Sequence, residues 1–127
     1  MLHEALANYL ETVEQAVLES EGIDVERYIE EVLTSKRANL RIRLRFAEGY
    51  LLEINEAVMV EDDRLTSLDY RYHCQNKQNH LIFRYDNTPH FPNLLTFPHH
   101  KHLPNAVIAS EKPEISQVLQ EVRKAIP

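Results

Sequence analysis

Between Leu40 and Val60 the chain alternates with a period of two, which commits it to strands. Leu40, Ile42, Leu44 and Phe46 interleave with Arg41, Arg43 and Arg45, and Leu52, Ile54, Val58 and Val60 continue the apolar series. Successive strand side chains point to opposite faces, so this pattern buries one face and leaves the other polar. Ala47-Glu48-Gly49 separates the two runs and suits a three-residue hairpin with Gly49 in the left-handed conformation. That turn pairs Leu44 with Leu52, Ile42 with Ile54 and Arg43 with Glu53, so the apolar faces agree across the pair.

The flanking segments read differently. Leu2, Leu6, Leu10, Val13 and Val17 recur at helical spacing. Gly22 suits a helix stop, and Asp24 can cap a second helix with Val25, Tyr28, Ile29, Val32 and Leu33 on its apolar side. A helical hairpin over residues 1–34 is therefore expected. Beyond Val60, Leu68, Tyr70, Tyr72 and Cys74 alternate with Asp69, Arg71 and His73, and Leu81, Phe83 and Tyr85 alternate with Ile82, Arg84 and Asp86. These strands complete an antiparallel sheet over 38–86. Residues 87–104 hold four of the six prolines and read as a His/Pro-rich loop. Residues 106–109 suit a short edge strand, and Pro113 opens a last helix over 113–125. The expected fold is one α+β domain over 1–127. A helical hairpin packs on a β-meander of about four strands, followed by a long loop and a C-terminal helix.

Charge is unevenly spread. The net charge is −6, yet residues 1–34 alone carry nine acids against one base, Arg27, so the remainder is slightly basic. The single cysteine, Cys74, forbids an internal disulfide and agrees with a reducing, cytoplasmic setting. It lies within an apolar strand face and reads as a buried small hydrophobe. No apolar run has the roughly 20 residues of a membrane span, and the N-terminus lacks the pattern of a signal peptide. With only Gly22 and Gly49, the chain has no glycine-rich phosphate loop and no nucleophile elbow.

Six of the seven histidines fall between Tyr70 and His102. On the fourth strand Arg84 and Asp86 share a face, as Arg71 and His73 do on the third. A four-residue turn at 76–79 opposes Arg71 to Arg84, a like-charge pair costing up to about 1 kcal/mol unless an anion sits between them. A register shifted by two would pair Arg71 with Asp86 instead. Downstream, His90 leads to His99-His100-Lys101-His102. Three readings compete for this cluster. It is a surface loop, it ligates a metal through two or three imidazoles, or it performs acid–base chemistry on a phosphate ester. Imidazole titrates near neutrality, so His99, His100, His102 and His90 are candidates for general base and acid. Lys101 and Arg84 would stabilise the phosphoryl group, and Asp86 would orient a neighbour. Arg71, His73 and the stripe Arg41, Arg43 and Arg45 are candidates for holding a nucleic-acid backbone. Tyr70, Tyr72, Phe83 and Tyr85 alternate with the polar set and belong to the core.

Leu68-Asp69-Tyr70-Arg71-Tyr72-His73, Phe83-Arg84-Tyr85-Asp86-Asn87, Pro89-His90 and Phe97-Pro98-His99-His100-Lys101-His102 resemble the TumE family of small bacterial toxins. The resemblance implies the toxin half of a type II toxin–antitoxin pair, encoded beside an antitoxin with a helix-turn-helix domain. The element order also looks like the RelE/BECR class of ribonucleases. The resulting expectation is a cytoplasmic, metal-independent endoribonuclease, a hydrolase acting on RNA without cofactor. The alternative is a non-enzymatic module that binds a partner or a metal through the histidines. Homo-oligomerisation is left open by the sequence.

Overall fold

Seven antiparallel strands, paired in chain order, form one sheet in the computed structural model, which describes residues Met1–Pro127. The elements are α1 (Glu4–Glu19), β1 (Asp24–Thr34), β2 (Arg37–Arg45), β3 (Leu51–Glu61), β4 (Arg64–Gln75), β5 (Leu81–Asp86), β6 (His100–Leu103), β7 (Ala106–Ala109) and α2 (Ile115–Ala125). Leu6, Leu10, Val13 and Val17 of α1 and Ile115, Val118, Leu119 and Val122 of α2 close one sheet face. Beneath them lie Leu40, Ile42, Leu44, Leu52, Ile54, Tyr72, Cys74 and Phe83, all buried. The β2–β3 register has Leu44 opposite Leu52, Ile42 opposite Ile54 and Arg43 opposite Glu53, with Gly49 at φ 76° in the connecting turn. The opposite face is open, and on β2 it presents Arg41, Arg43 and Arg45.

A buried carboxylate joins three elements on the helix side. Glu56 of β3 is 3% exposed. It accepts hydrogen bonds from Tyr9 of α1 and from Ser67 Oγ of β4 (2.7 Å), and it pairs with Lys112 Nζ (3.1 Å). Lys112 precedes α2, so this group ties both helices to the sheet. A buried charge needs such full pairing to be tolerated.

Three expectations are corrected. The helical hairpin does not form, because residues 24–34 are a strand. Val25, Ile29, Val32 and Leu33 are each at least 43% exposed and bury no stripe. Bulges between Val25 and Arg27 and between Val32 and Thr34 shift the strand phase, so the apolar spacing imitates a helix. The backbone ladder to β2 holds the segment, aided by Arg43 and Arg45 on Glu26 and Asn39 on Glu31. The sheet also has seven strands rather than about four. Its last two come from the expected loop and edge segment: β6 lies inside residues 87–104, and β7 pairs with it. A RelE-like order of two leading helices is therefore not shown. Finally, of the two registers open to β4 and β5, the one shifted by two forms, setting Arg71 opposite Asp86 and His73 opposite Arg84, with an irregularity between Cys74 and Gln75. The opposed arginine pair does not exist.

The strand assignment of residues 24–34 predicts unequal costs for two isoleucines. Ile54→Ala, at a fully buried position, should destabilise by about 2–5 kcal/mol. Ile29→Thr should change stability by no more than about 0.5 kcal/mol, since the side chain packs on solvent and threonine keeps the strand preference. Urea denaturation followed by circular dichroism checks both, and a core-sized loss at Ile29 would contradict the fold.

Candidate active site on the open sheet face

Three neighbouring strands build a small grid on the open face. One cross-strand row is Arg71, Asp86 and His100, and the next is His73, Arg84 and His102. Side chains directly opposite in such rows lie about 4.5–5.5 Å apart at Cβ. The grid exists because the apolar residues between these positions, Tyr72, Tyr85 and Phe83, are buried under the helices.

Asp86 is the centre of the grid and is 5% exposed. Its Oδ1 lies 2.9 Å from His100 Nε2, and its Oδ2 lies 3.3 Å from His102 Nε2. The Thr88 backbone N–H donates to Oδ1 at 3.0 Å. The two imidazole Nε2 atoms are 3.1 Å apart. His100 is 1% exposed, and its Nδ1–H donates to the Pro98 carbonyl at 2.9 Å. The ring of Phe91 meets His100 edge-on with centroids 4.8 Å apart and also approaches His102. His102 is the solvent-facing member, with 24% of its side chain exposed. Burial, helped by His100 and Arg84, holds His102 below the ordinary imidazole range against the pull of Asp86.

With Asp86 turned toward the histidines, neither Arg71 nor Arg84 forms an ion pair. Arg84 is oriented from behind. Its Nε–H donates to His73 Nδ1 at 3.1 Å, and the His73 Nε2–H donates to Gln75 Oε1 at 2.9 Å. Both ring nitrogens of His73 are thus occupied, and the rest of the Arg84 guanidinium is left for a ligand. Burial first, then Arg84 and Arg71, keep the His73 pKa below its ordinary 6.5, against Gln75 and Glu53.

Beside the grid runs a groove of about 660 Å³ lined by Arg27, Arg37, Asn39, Arg41, Asn55 and Arg71, with the acidic residues Asp69 and Glu56 also in its wall. Arg41 faces it unpaired, whereas Arg43 is held by Glu26 and Glu53, and Arg45 by Glu26. Arg27 and Arg37 escape a sequence reading because one sits in the segment read as helix and the other precedes the recognised strand.

The remaining sequence candidates lie elsewhere. Lys101 points to the helix side, where its Nζ pairs with Glu121 at 2.5 Å and lies over the Tyr85 ring. Burial opposes its charge, but Glu121 and Tyr85 outweigh that and raise its pKa. His99 meets the Tyr70 hydroxyl at 2.9 Å and stacks on that ring. His90 is exposed on the connection before β6. The cluster 99–102 is thus divided by strand alternation: His100 and His102 reach the grid, and His99 and Lys101 do not. Cys74 is buried, its thiol pushed up to about 12 by burial, which leaves no nucleophile there.

The neutrality of His73 carries a pH prediction. Its folded pKa lies below 6.5, so the unfolded chain takes up the proton first as pH falls. The stability it contributes is complete above 6.5 and is lost as pH drops from there toward the folded value. His73→Gln should flatten the decline in urea stability between neutral pH and that acidic range. An unchanged slope would show that burial and Arg84 do not hold His73 neutral.

A family model described as Toxin TumE matches residues 13–126, a span that includes every strand and α2. No curated protein and no solved structure matches the chain. No helix is long and apolar enough to cross a membrane. A toxin family implies an antitoxin partner. The match covers nearly the whole sequence and contains the complete grid, and on that basis the chain belongs to the TumE toxin family.

Proposed function

We propose that this toxin cleaves RNA at a phosphodiester on the open sheet face. The observation that carries the reading is the pair of unpaired arginines, Arg71 and Arg84, flanking Asp86, His100 and His102. Guanidinium forks match the oxygens of a phosphate and favour the charge that builds on it during cleavage. The groove with Arg27, Arg37 and Arg41 continues from Arg71 and suits the backbone on either side of the reacting phosphate. The Asp86–His100–His102 group is the reacting centre. His102 meets solvent and supplies the proton-transfer atom, whereas buried His100 and Asp86 orient it. His73 positions Arg84.

This assignment is narrower than the one read from sequence. His99, Lys101 and His90 leave the reacting set, and Arg43 and Arg45 serve the sheet. The acidic β1 and the open face offer an antitoxin two surfaces, and a helix-turn-helix antitoxin covering the grid would block the site. Binding of a partner alone, without catalysis, is the second reading.

Purified toxin incubated with total RNA should produce discrete cleavage ends. Arg84→Ala should slow cleavage by about 100-fold or more, the usual cost of removing one charge-stabilising donor. Arg41→Ala should instead weaken RNA binding across sequences and lower the salt dependence of affinity by about one ion. Intact RNA at high toxin concentration, with a folded protein, would contradict the reading.

A further inference from the structure

We propose that Asp86, His100 and His102 bind one divalent first-row transition-metal ion, such as zinc, nickel, cobalt or manganese. This rests on the reading of that group as the reacting centre but changes one role in it: His102 Nε2 becomes a ligand, and metal-bound water in place of His102 would carry the proton. It also departs from the metal-independent reaction expected from sequence.

Distances give the first support. Ligand atoms about 2.0–2.2 Å from a metal lie about 3.0 Å apart at right angles and about 3.4 Å apart in a tetrahedron. The observed separations are 2.9 Å from His100 Nε2 to Asp86 Oδ1, 3.1 Å between the two Nε2 atoms and 3.3 Å from His102 Nε2 to Asp86 Oδ2. Each separation falls in the range of a polyhedron edge, the two imidazoles facing different oxygens of Asp86, and one donor atom from each side chain lies within 4.8 Å of the others.

The proton count is the second support. The Pro98 carbonyl can only accept, so the hydrogen on His100 lies at Nδ1. In neutral His100 the Nε2 lone pair then points at a carboxylate oxygen and at a second imidazole nitrogen. A single proton placed among these atoms bridges only one of the close pairs, whereas one metal ion would accept a lone pair from all three side chains at once.

The surroundings resemble the outer shell of a metal site. A ligating histidine commonly donates its other N–H to a carbonyl, as His100 does, and a ligating carboxylate is hydrogen-bonded in turn, as Asp86 is by Thr88. Phe91 covers the imidazole edges. Three protein ligands leave coordination positions open, and His102 lies where they meet solvent. Two imidazoles and one carboxylate with open positions are a donor set suited to a borderline transition metal. Such an ion can polarise a phosphoryl oxygen and lower the pKa of bound water.

The test uses the full chain without a histidine tag, stripped with chelator and titrated separately with zinc, nickel, cobalt and manganese salts by calorimetry. Elemental analysis follows desalting. At least one metal should bind at one ion per chain. His102→Gln and Asp86→Asn should each weaken binding at least tenfold, while His90→Ala should bind as the parent does. His102 is partly exposed, so its variant keeps the proposal testable even where the Asp86 variant unfolds. Nitrogen-15 NMR supplies the complementary readout: metal should remove any proton signal from His100 Nε2. No saturable binding, equal weakening by His90→Ala, or a proton retained on His100 Nε2 with metal present would overturn the site. Binding is read without RNA, so its failure and the failure of RNA cleavage are separate results.

Discussion

The burial of one sheet face under two helices is the constraint on which the rest depends. Slipping β2, β3, β4 or β5 by one residue would turn its apolar set to solvent, so the core fixes register among these four strands. Register in turn decides what the open face presents. Tyr72, Tyr85 and Phe83 must face the helices, which forces Arg71, His73, Arg84, Asp86, His100 and His102 to the other side. The candidate site is thus the polar complement of the core, closed over by Thr88, Phe91 and Pro98 of the β5–β6 connection.

Within the site, the orientation of Asp86 organises the charges. Its direct neighbours are Arg71 on β4 and His100 on β6, and Arg71 is the partner a simple charge argument would choose. Its oxygens instead face His100, His102 and the Thr88 N–H. That choice leaves Arg71 and Arg84 as unneutralised cations on an open surface, an arrangement with no structural benefit of its own. A bound anion such as a phosphate would neutralise both. His73 adds to the same design by taking the Arg84 Nε–H while remaining uncharged.

Much of this was legible from alternation alone. The β2–β3 hairpin, the split of residues 70–86 into core and polar faces, and the buried character of Cys74 follow from period-two patterning and turn chemistry. Residues 24–34 were misread because two bulges move Val25, Ile29, Val32 and Leu33 into helical spacing. β6 was hidden because His100-Lys101-His102 has no apolar alternation, and its partner face is filled by Lys101 on Glu121 instead of by a hydrophobe. Once that strand is in place, the histidine run resolves by alternation into two residues that reach the grid and one that does not. The Glu56–Lys112 contact joins residues 56 positions apart and carries no local signal at all.

The central claim is that the face bearing Arg84 and His102, and not the face bearing Lys101, carries the toxin's activity. Growth of cells expressing Arg84→Ala and Lys101→Met at matched protein levels tests it most directly. Lys101→Met preserves the packing over Tyr85 and should remain as toxic as the parent, whereas Arg84→Ala should permit normal growth. Full toxicity from Arg84→Ala, or loss of toxicity from a folded Lys101→Met, would place the activity on the other side of the sheet.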